Sequence, residues 1–145
     1  MNTRLNLKQT DTAAYKAMLA FDAHAEANGI STTHRDLIKI RASQINGCSY
    51  CIDMHTKEAR ENGETERRIY ALASWRETPF FTEEEKSVLA LTEEVTLIHN
   101  RVSDETYTNA VKVLGEPYVA KVLMAIITIN AWNRIGIALN MFPEA

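Results

Sequence analysis

The stretch THRDLIKIRASQINGCSYCIDMHTKEAREN, residues 33–62, contains two segments separated by Gly47. In the first segment the apolar residues recur at the spacing of one helix face, and glycine is the residue that most often ends a helix. The second segment begins at or beside Cys48 and ends at Asn62, which precedes another glycine. The stretch therefore predicts two consecutive helices, with both cysteines of the chain at the start of the second.

The rest of the chain shows the same helical pattern and few helix breakers. Five Gly and three Pro occur in 145 residues, and apolar residues recur every three or four positions rather than alternating. Thr82 followed by Glu85 is a capping-box pattern, and Asp11 and Ser103 are further N-cap candidates. We expect one all-α domain, residues 1–145, of about seven helices. These predicted helices cover about 11–28, 33–46, 48–62, 65–74, 82–100, 103–115 and 117–140.

The last predicted helix, 117–140, is apolar nearly all round. Its length approaches that of a membrane span, but Lys121 and Arg134 interrupt it, and a charge at the centre of a bilayer costs about 2.5–3.5 kcal/mol. We therefore reject a membrane span. A helix of this kind is buried on several sides, which a domain of this size achieves most easily by association with other chains.

Composition and charge exclude several classes of function. The 16 Lys and Arg against 19 Asp and Glu give a net charge of −3 without a basic block, so we expect no nucleic-acid partner. The first residues, MNTRLNLKQTDT, lack an apolar leader, so the expected location is cytoplasmic. Thiols are kept reduced there, which favours a catalytic or metal-binding cysteine pair over a stabilising disulfide.

Cys48 and Cys51 have the spacing of a redox pair. At a helix start they lie close enough to form a small disulfide ring on oxidation, and the unpaired backbone N–H groups there favour a thiolate. His55 follows Cys51 by four residues, so its imidazole lies over the same helix face. A neutral imidazole, with an ordinary pKa near ~6.5, can accept the thiol proton and return it to a leaving oxygen.

A zinc site is the strongest alternative for this motif. The two cysteines and His55 give three ligands, but a fourth from His34, His99 or Asp36 would complete an unusual set. Two inert core cysteines are a further alternative, whereas covalent haem is excluded because Ile52 rather than histidine follows the second cysteine. We expect a redox pair and predict neither a metal nor a cofactor.

Asp36 has two interpretations. It lies three residues after Thr33, where an acidic side chain commonly caps a helix N-terminus. Alternatively, its carboxylate orients His55, as carboxylates orient many catalytic imidazoles. From the residues alone the capping role is favoured.

The run RDLIKIRASQINGCSYCIDMHTKEARENG, residues 35–63, together with INAWNR, residues 129–134, resembles the short single-domain members of the alkylhydroperoxidase D-like (AhpD-like) family of the carboxymuconolactone decarboxylase superfamily. The likeness extends over essentially the whole chain. It implies a helical fold that assembles as homotrimers or homohexamers. It also implies a peroxiredoxin-type thiol peroxidase, with an organic hydroperoxide as substrate and a lipoyl protein or a thioredoxin-like protein as dithiol donor.

The resemblance also implies roles for individual residues. Cys48 and Cys51 become the redox pair and His55 the proton-relay histidine. Asp36 stands where the family usually has Glu, twelve residues before the first cysteine, and its shorter side chain favours contact with His55 through water. The helix terminus favours Cys48 as the attacking thiol, whereas the register of His55 favours Cys51, which we prefer, leaving Cys48 to resolve it and meet the reductant.

Two other functions stay open at this point. Decarboxylation of a lactone acid is known in the same superfamily, although that reaction has no use for a dithiol. A redox-sensing or zinc-binding helical module without catalysis is the non-enzymatic alternative.

Overall fold

A computed structural model of the chain describes residues 4–144, and within them all regular structure is helical. The prediction of an all-α fold is confirmed. One helix more is present than the seven expected, because a single turn, α1, precedes the first predicted helix. The helices are α1 (Leu7–Thr10), α2 (Thr12–Ala27), α3 (Thr32–Asn46), α4 (Ser49–Glu61), α5 (Glu66–Ala71), α6 (Glu83–Thr96), α7 (Asp104–Leu114) and α8 (Glu116–Ala138), with 3₁₀ segments at Leu72–Glu77 and Ile98–Asn100.

Three of these helices begin at the side-chain caps that the sequence predicts. The Asp11 carboxylate accepts a hydrogen bond from the backbone of α2, Thr82 and Glu85 form a reciprocal capping box on α6, and Ser103 caps α7. The N-cap expected at Thr33 is wrong. Ser31 caps α3 instead, because its hydroxyl oxygen accepts a hydrogen bond from the His34 N–H at 3.2 Å. The favoured interpretation of Asp36 as a cap of α3 is therefore wrong, because no acidic residue lies in the first turn of this helix.

Helix α3 is the centre of the fold and packs against α4, α6 and α8. One of its faces contributes Ile38 to a core shared with α6 and α8, and another contributes Leu37 and Ile40 to a core shared with α4, α5 and α6. These three side chains are fully buried. Burial on two faces means that α3 fixes the position of whatever follows its last turn.

Helix α8 is only partly enclosed by its own chain. Its inner side is buried, while Met124, Ile127 and Ile137 are 37%, 46% and 45% exposed. The sequence predicts that other chains cover these side chains. Within residues 4–144, no helix combines the length and apolar character needed to cross a lipid bilayer.

The turn between α3 and α4 depends on Gly47, whose φ of 72° lies in the left-handed region. The Gly47 N–H donates to the Gln44 carbonyl and the Cys48 N–H to the Ser43 carbonyl, which closes α3 and begins α4 one residue later. A methyl group on Gly47 would meet no atom within 4 Å, so its cost is conformational rather than steric.

We expect Gly47→Ala to lower the free energy of unfolding by about 1 kcal/mol, because L-residues other than Asn and Asp are disfavoured at this backbone conformation. Gly47→Asn should recover part of that loss. Urea titration followed by circular dichroism measures both. Equal stability of Gly47→Ala and wild type would contradict the left-handed turn.

Candidate active site

Cys48 and Cys51 form a disulfide at the first turn of α4. Cys48 is the N-cap of that helix and its sulfur accepts a hydrogen bond from the Cys51 N–H at 3.4 Å, with the two Cα atoms 5.3 Å apart. Both residues are buried, at 2% and 3% exposure. The structure therefore joins the two cysteines at a helix start, as the sequence predicts.

The backbone of α8 lies directly against this disulfide at Gly136. A Cβ atom at that position would stand 3.2 Å from Cys48 Sγ and 3.6 Å from Cys51 Sγ, so a larger residue would press on both sulfurs. Sequence reasoning missed this contact. The available signal was that Gly136 is the single glycine within a 23-residue helix, where glycine usually has a packing reason.

His55 lies one turn beyond Cys51 on α4 and is 6% exposed. Its Nδ1 atom is 2.7 Å from Glu58 Oε2. Because a carboxylate can only accept a hydrogen bond, Nδ1 carries the proton and Nε2 keeps its lone pair. Glu58 was missed in the sequence, although its three-residue spacing from His55 on one helix was a usable signal.

Burial lowers the pKa of His55 below its ordinary value. The hydrogen bond to Glu58 opposes this shift and raises the pKa, whereas the positive charge of Lys39 lowers it. The sum favours the neutral imidazole at physiological pH, which is the form that can accept a proton.

Asp36 is buried, at 4% exposure, and its Oδ2 atom accepts a hydrogen bond of 2.9 Å from Asn62 Nδ2. Burial raises the pKa of this carboxyl above its ordinary value. It borders a small polar cavity of about 290 Å³ rather than the one that His55 borders. In the described residues, the carboxylate hydrogen-bonded to His55 is that of Glu58 and not that of Asp36.

A larger cavity of about 520 Å³ adjoins the disulfide. Cys51 and His55 border this cavity. Cys48 is not among the residues of 4–144 that line it. Tyr15 and Trp132 meet edge to face across 5.9 Å in its wall. A disulfide sulfur and a buried imidazole thus border a space suited to an apolar ligand. The wall is completed on its apolar side by Leu19, Met54, Ile135 and Leu139.

Charged side chains at this cavity are largely paired with one another. Glu26 forms ion pairs with Arg35, at 2.9 Å, and with Lys39. Asp22 also borders the cavity and raises the pKa of His55 slightly through its negative charge. Over residues 4–144, no group of three or more His, Cys, Asp or Glu side chains is placed to hold a metal ion.

Comparison with known proteins places these features in a family. The sequence profile of the carboxymuconolactone decarboxylase family matches residues 12–94. The chain is 43% identical to the uncharacterized protein YdfG of Bacillus subtilis, over 96% of this chain and 95% of that protein.

Solved structures share the fold. A crystal structure of ATU0492 from Agrobacterium tumefaciens, a protein of unknown function provisionally described as the antioxidant defence protein AhpD, is 34% identical and superposes with a TM-score of 0.95 over 99% of this chain and 100% of that one. The debrominase Bmp8 in complex with 2,3,4-tribromopyrrole is 17% identical, with a TM-score of 0.86 over 94% of this chain and 74% of that one, which shows the fold alone. The chain therefore belongs to the carboxymuconolactone decarboxylase family and has the AhpD-like fold.

Proposed function

We propose that the protein is a thiol-dependent peroxidase of the alkyl hydroperoxide reductase type, acting on organic hydroperoxides. The observation that carries the proposal is the position of Cys51, which is joined to Cys48 and borders an apolar cavity of about 520 Å³ beside His55. A dithiol pair explains why two cysteines meet at a helix start. The apolar wall explains why the substrate is an organic hydroperoxide rather than a polar one.

The proposed reaction uses the two thiols in sequence. His55 Nε2 accepts the proton of the Cys51 thiol, and the thiolate attacks the terminal oxygen of the hydroperoxide, so that the O–O bond breaks and an S–O bond forms. The departing alkoxide takes the proton back from His55 and leaves as an alcohol. The Cys48 thiol then loses its proton and the thiolate attacks the Cys51 sulfur, so that the S–S bond forms and the S–O bond of the sulfenic acid breaks. The hydroxide takes up that proton and leaves as water.

A dithiol donor closes the cycle by returning two electrons and two protons. We propose a lipoyl protein or a thioredoxin-like protein, and we assign Cys51 as the sulfur that the donor attacks. This differs from the expectation that Cys48 meets the reductant, and it is based on the cavity, which Cys51 borders and Cys48 does not. Lactone decarboxylation, the alternative within the family, contains no step for a dithiol.

Single turnover of the reduced protein tests this function. Mixing it with cumene hydroperoxide should produce one cumyl alcohol and consume two thiols per chain. Cys48→Ser and Cys51→Ser should each abolish repeated turnover, and His55→Ala should slow the first step by about 100-fold, because general base catalysis supplies rate factors of roughly that size. Stopped-flow kinetics with thiol counting measures all three.

His99→Ala is the matched control, because His99 is exposed and is not among the residues that line the cavity. It should react at the wild-type rate. Wild-type turnover in both Cys→Ser proteins would overturn the proposed function, and lactone decarboxylation that survives alkylation of both thiols would replace it.

The proton relay predicts a pH dependence. Protonation of His55 removes the base, and burial lowers the pKa of this group, so the acid-side loss of activity should have its midpoint below pH 6.5. Glu58→Gln removes the carboxylate that raises the pKa of His55 and should move this midpoint to still lower pH. The pH profile of the single-turnover rate, with a parallel nuclear magnetic resonance titration of His55, measures the shift.

Asp36 remains a proposed member of this relay, acting on His55 through water. Because it is hydrogen-bonded to Asn62, we expect Asp36→Asn to move the midpoint less than Glu58→Gln does. Asp53→Asn is the control, since Asp53 lies on α4, as His55 does, but pairs with Lys57 at the surface. A larger shift in Asp36→Asn than in Glu58→Gln would make Asp36 the direct partner of His55.

We further propose that the chain assembles as a homotrimer or homohexamer through the exposed apolar side of α8. Sedimentation velocity should then show three or six chains per particle, and Ile127→Lys should weaken the assembly, because a buried unpaired charge is costly at an interface. Tyr70→Lys, at a residue 75% exposed on α5, is the control. A monomeric wild-type protein would contradict the proposal.

A further inference from the structure

Residues 4–10, here called the N-terminal strap, lie across the cavity that contains Cys51. Four consecutive strap residues border it: Leu5, Asn6, Leu7 and Lys8. Helix α1, within the strap, contains no buried residue, and Leu5 is 49% exposed. Two leucines therefore present apolar surface at the cavity without being used in either core of the protein.

The strap is attached at the end of α8. The Arg4 N–H donates to the Leu139 carbonyl at 3.0 Å, and Arg4 Nη1 donates to the Ala138 carbonyl at 2.9 Å. Carbonyls in the last turn of a helix have no partner within the helix, and the negative end of the helix dipole favours a cation there. Arg4 thus donates hydrogen bonds to two carbonyls at this helix end and holds the strap beside the cavity.

This attachment point belongs to the same part of the molecule as the disulfide. Leu139 borders the cavity itself and lies three residues after Gly136, where a Cβ atom would meet both sulfurs. The Met141 N–H donates to the Gly136 carbonyl, so the chain turns back over the site after α8 ends. Residues 5–8 of the strap, together with Leu139 and Met141 after α8, form one wall of the cavity that Cys51 borders.

We propose that this wall determines substrate selectivity, with Leu5 and Leu7 binding the apolar part of the hydroperoxide. The proposal rests on the proposed peroxidase function. A bulky aryl or long alkyl group buries the exposed faces of these leucines, and the free energy gained is proportional to the apolar area removed from water. Hydrogen peroxide has no such group and gains nothing from the wall. The substrate class is therefore hydroperoxides that carry a large apolar group.

Binding of a product alcohol tests the wall without any turnover. Cumyl alcohol is titrated into the oxidised full-length protein by calorimetry and by tryptophan fluorescence, since Trp132 borders the cavity whereas Trp75 lies in the core beside α5. We expect the double variant Leu5→Ser, Leu7→Ser to bind about tenfold more weakly than wild type. Arg4→Ala, which detaches the strap, should weaken binding in the same direction.

Matched controls separate the wall from general effects of substitution. Leu97→Ser removes an exposed leucine outside the cavity lining, and Arg60→Ala removes another arginine that donates to a backbone carbonyl near a helix end. Both should bind cumyl alcohol as wild type does. Circular dichroism checks that every variant is folded. We expect the strap variants to fold, because the strap contributes no buried residue.

Kinetics on the same proteins measure selectivity. The ratio of kcat/KM for cumene hydroperoxide to that for hydrogen peroxide should fall about tenfold in the double leucine variant, because the lost apolar contacts serve only the larger substrate. Unchanged alcohol binding, or an unchanged ratio of the two kcat/KM values, would contradict the proposal that the wall binds the apolar group of the substrate. If wild type reduces no hydroperoxide but the double variant still loses alcohol binding, the peroxidase function is wrong, and the wall is a binding site for apolar ligands without a role in peroxide selectivity.

Discussion

The side-chain amide of Asn46 fixes the last turn of α3 to the middle of α8, and the geometry of the thiol site depends on this contact. Asn46 Nδ2 donates to Asn130 Oδ1 at 3.0 Å and to Asn133 Oδ1 at 2.9 Å, and Asn133 Nδ2 donates to Ser43 Oγ at 3.0 Å. Ser43 in turn accepts the Cys48 N–H through its carbonyl. Since leaving a buried polar group unpaired costs about 1–3 kcal/mol, this network has one favourable arrangement, and it sets how closely α8 approaches the disulfide.

Charges around His55 are arranged so that its neutral form persists. Burial favours that form most, and the ammonium group of Lys39 adds to the effect. Lys39 is itself held by Glu26, which also pairs with Arg35, so one carboxylate restrains two cations at the edge of the cavity. Glu58 acts in the opposite direction and fixes which imidazole nitrogen carries the proton. Neutrality therefore comes mainly from burial, and orientation comes from Glu58, which also moderates the shift of the His55 pKa.

The parts of this site that could be predicted from the sequence are those fixed by local geometry. Gly47 ends one helix and the cysteines begin the next, and the four-residue register puts His55 on the face of Cys51, because these relations depend on neighbouring residues alone. The contact of Glu58 with His55 also depends on local spacing, but the family resemblance favoured Asp36 as the partner, and Glu58 was missed. Gly136 could not be placed beside the sulfurs, because its position depends on how α8 packs against α4. The single turn α1 escaped prediction because it buries nothing.

The two cysteines differ in a way that assigns them separate tasks in the proposed reaction. Cys51 borders the cavity, so it is the sulfur that meets peroxide and donor alike. Cys48 is the helix N-cap, where backbone N–H groups and the helix dipole stabilise a thiolate. When a donor thiol attacks Cys51, the sulfur that leaves is Cys48, and a stabilised thiolate leaves faster. The same stabilisation makes Cys48 ready to attack a sulfenic acid on Cys51. Access to the cavity is thus the property of Cys51, and ionisation at the helix start is the property of Cys48. Attack on the peroxide uses Cys51 and His55 alone, whereas formation and reduction of the disulfide use both sulfurs.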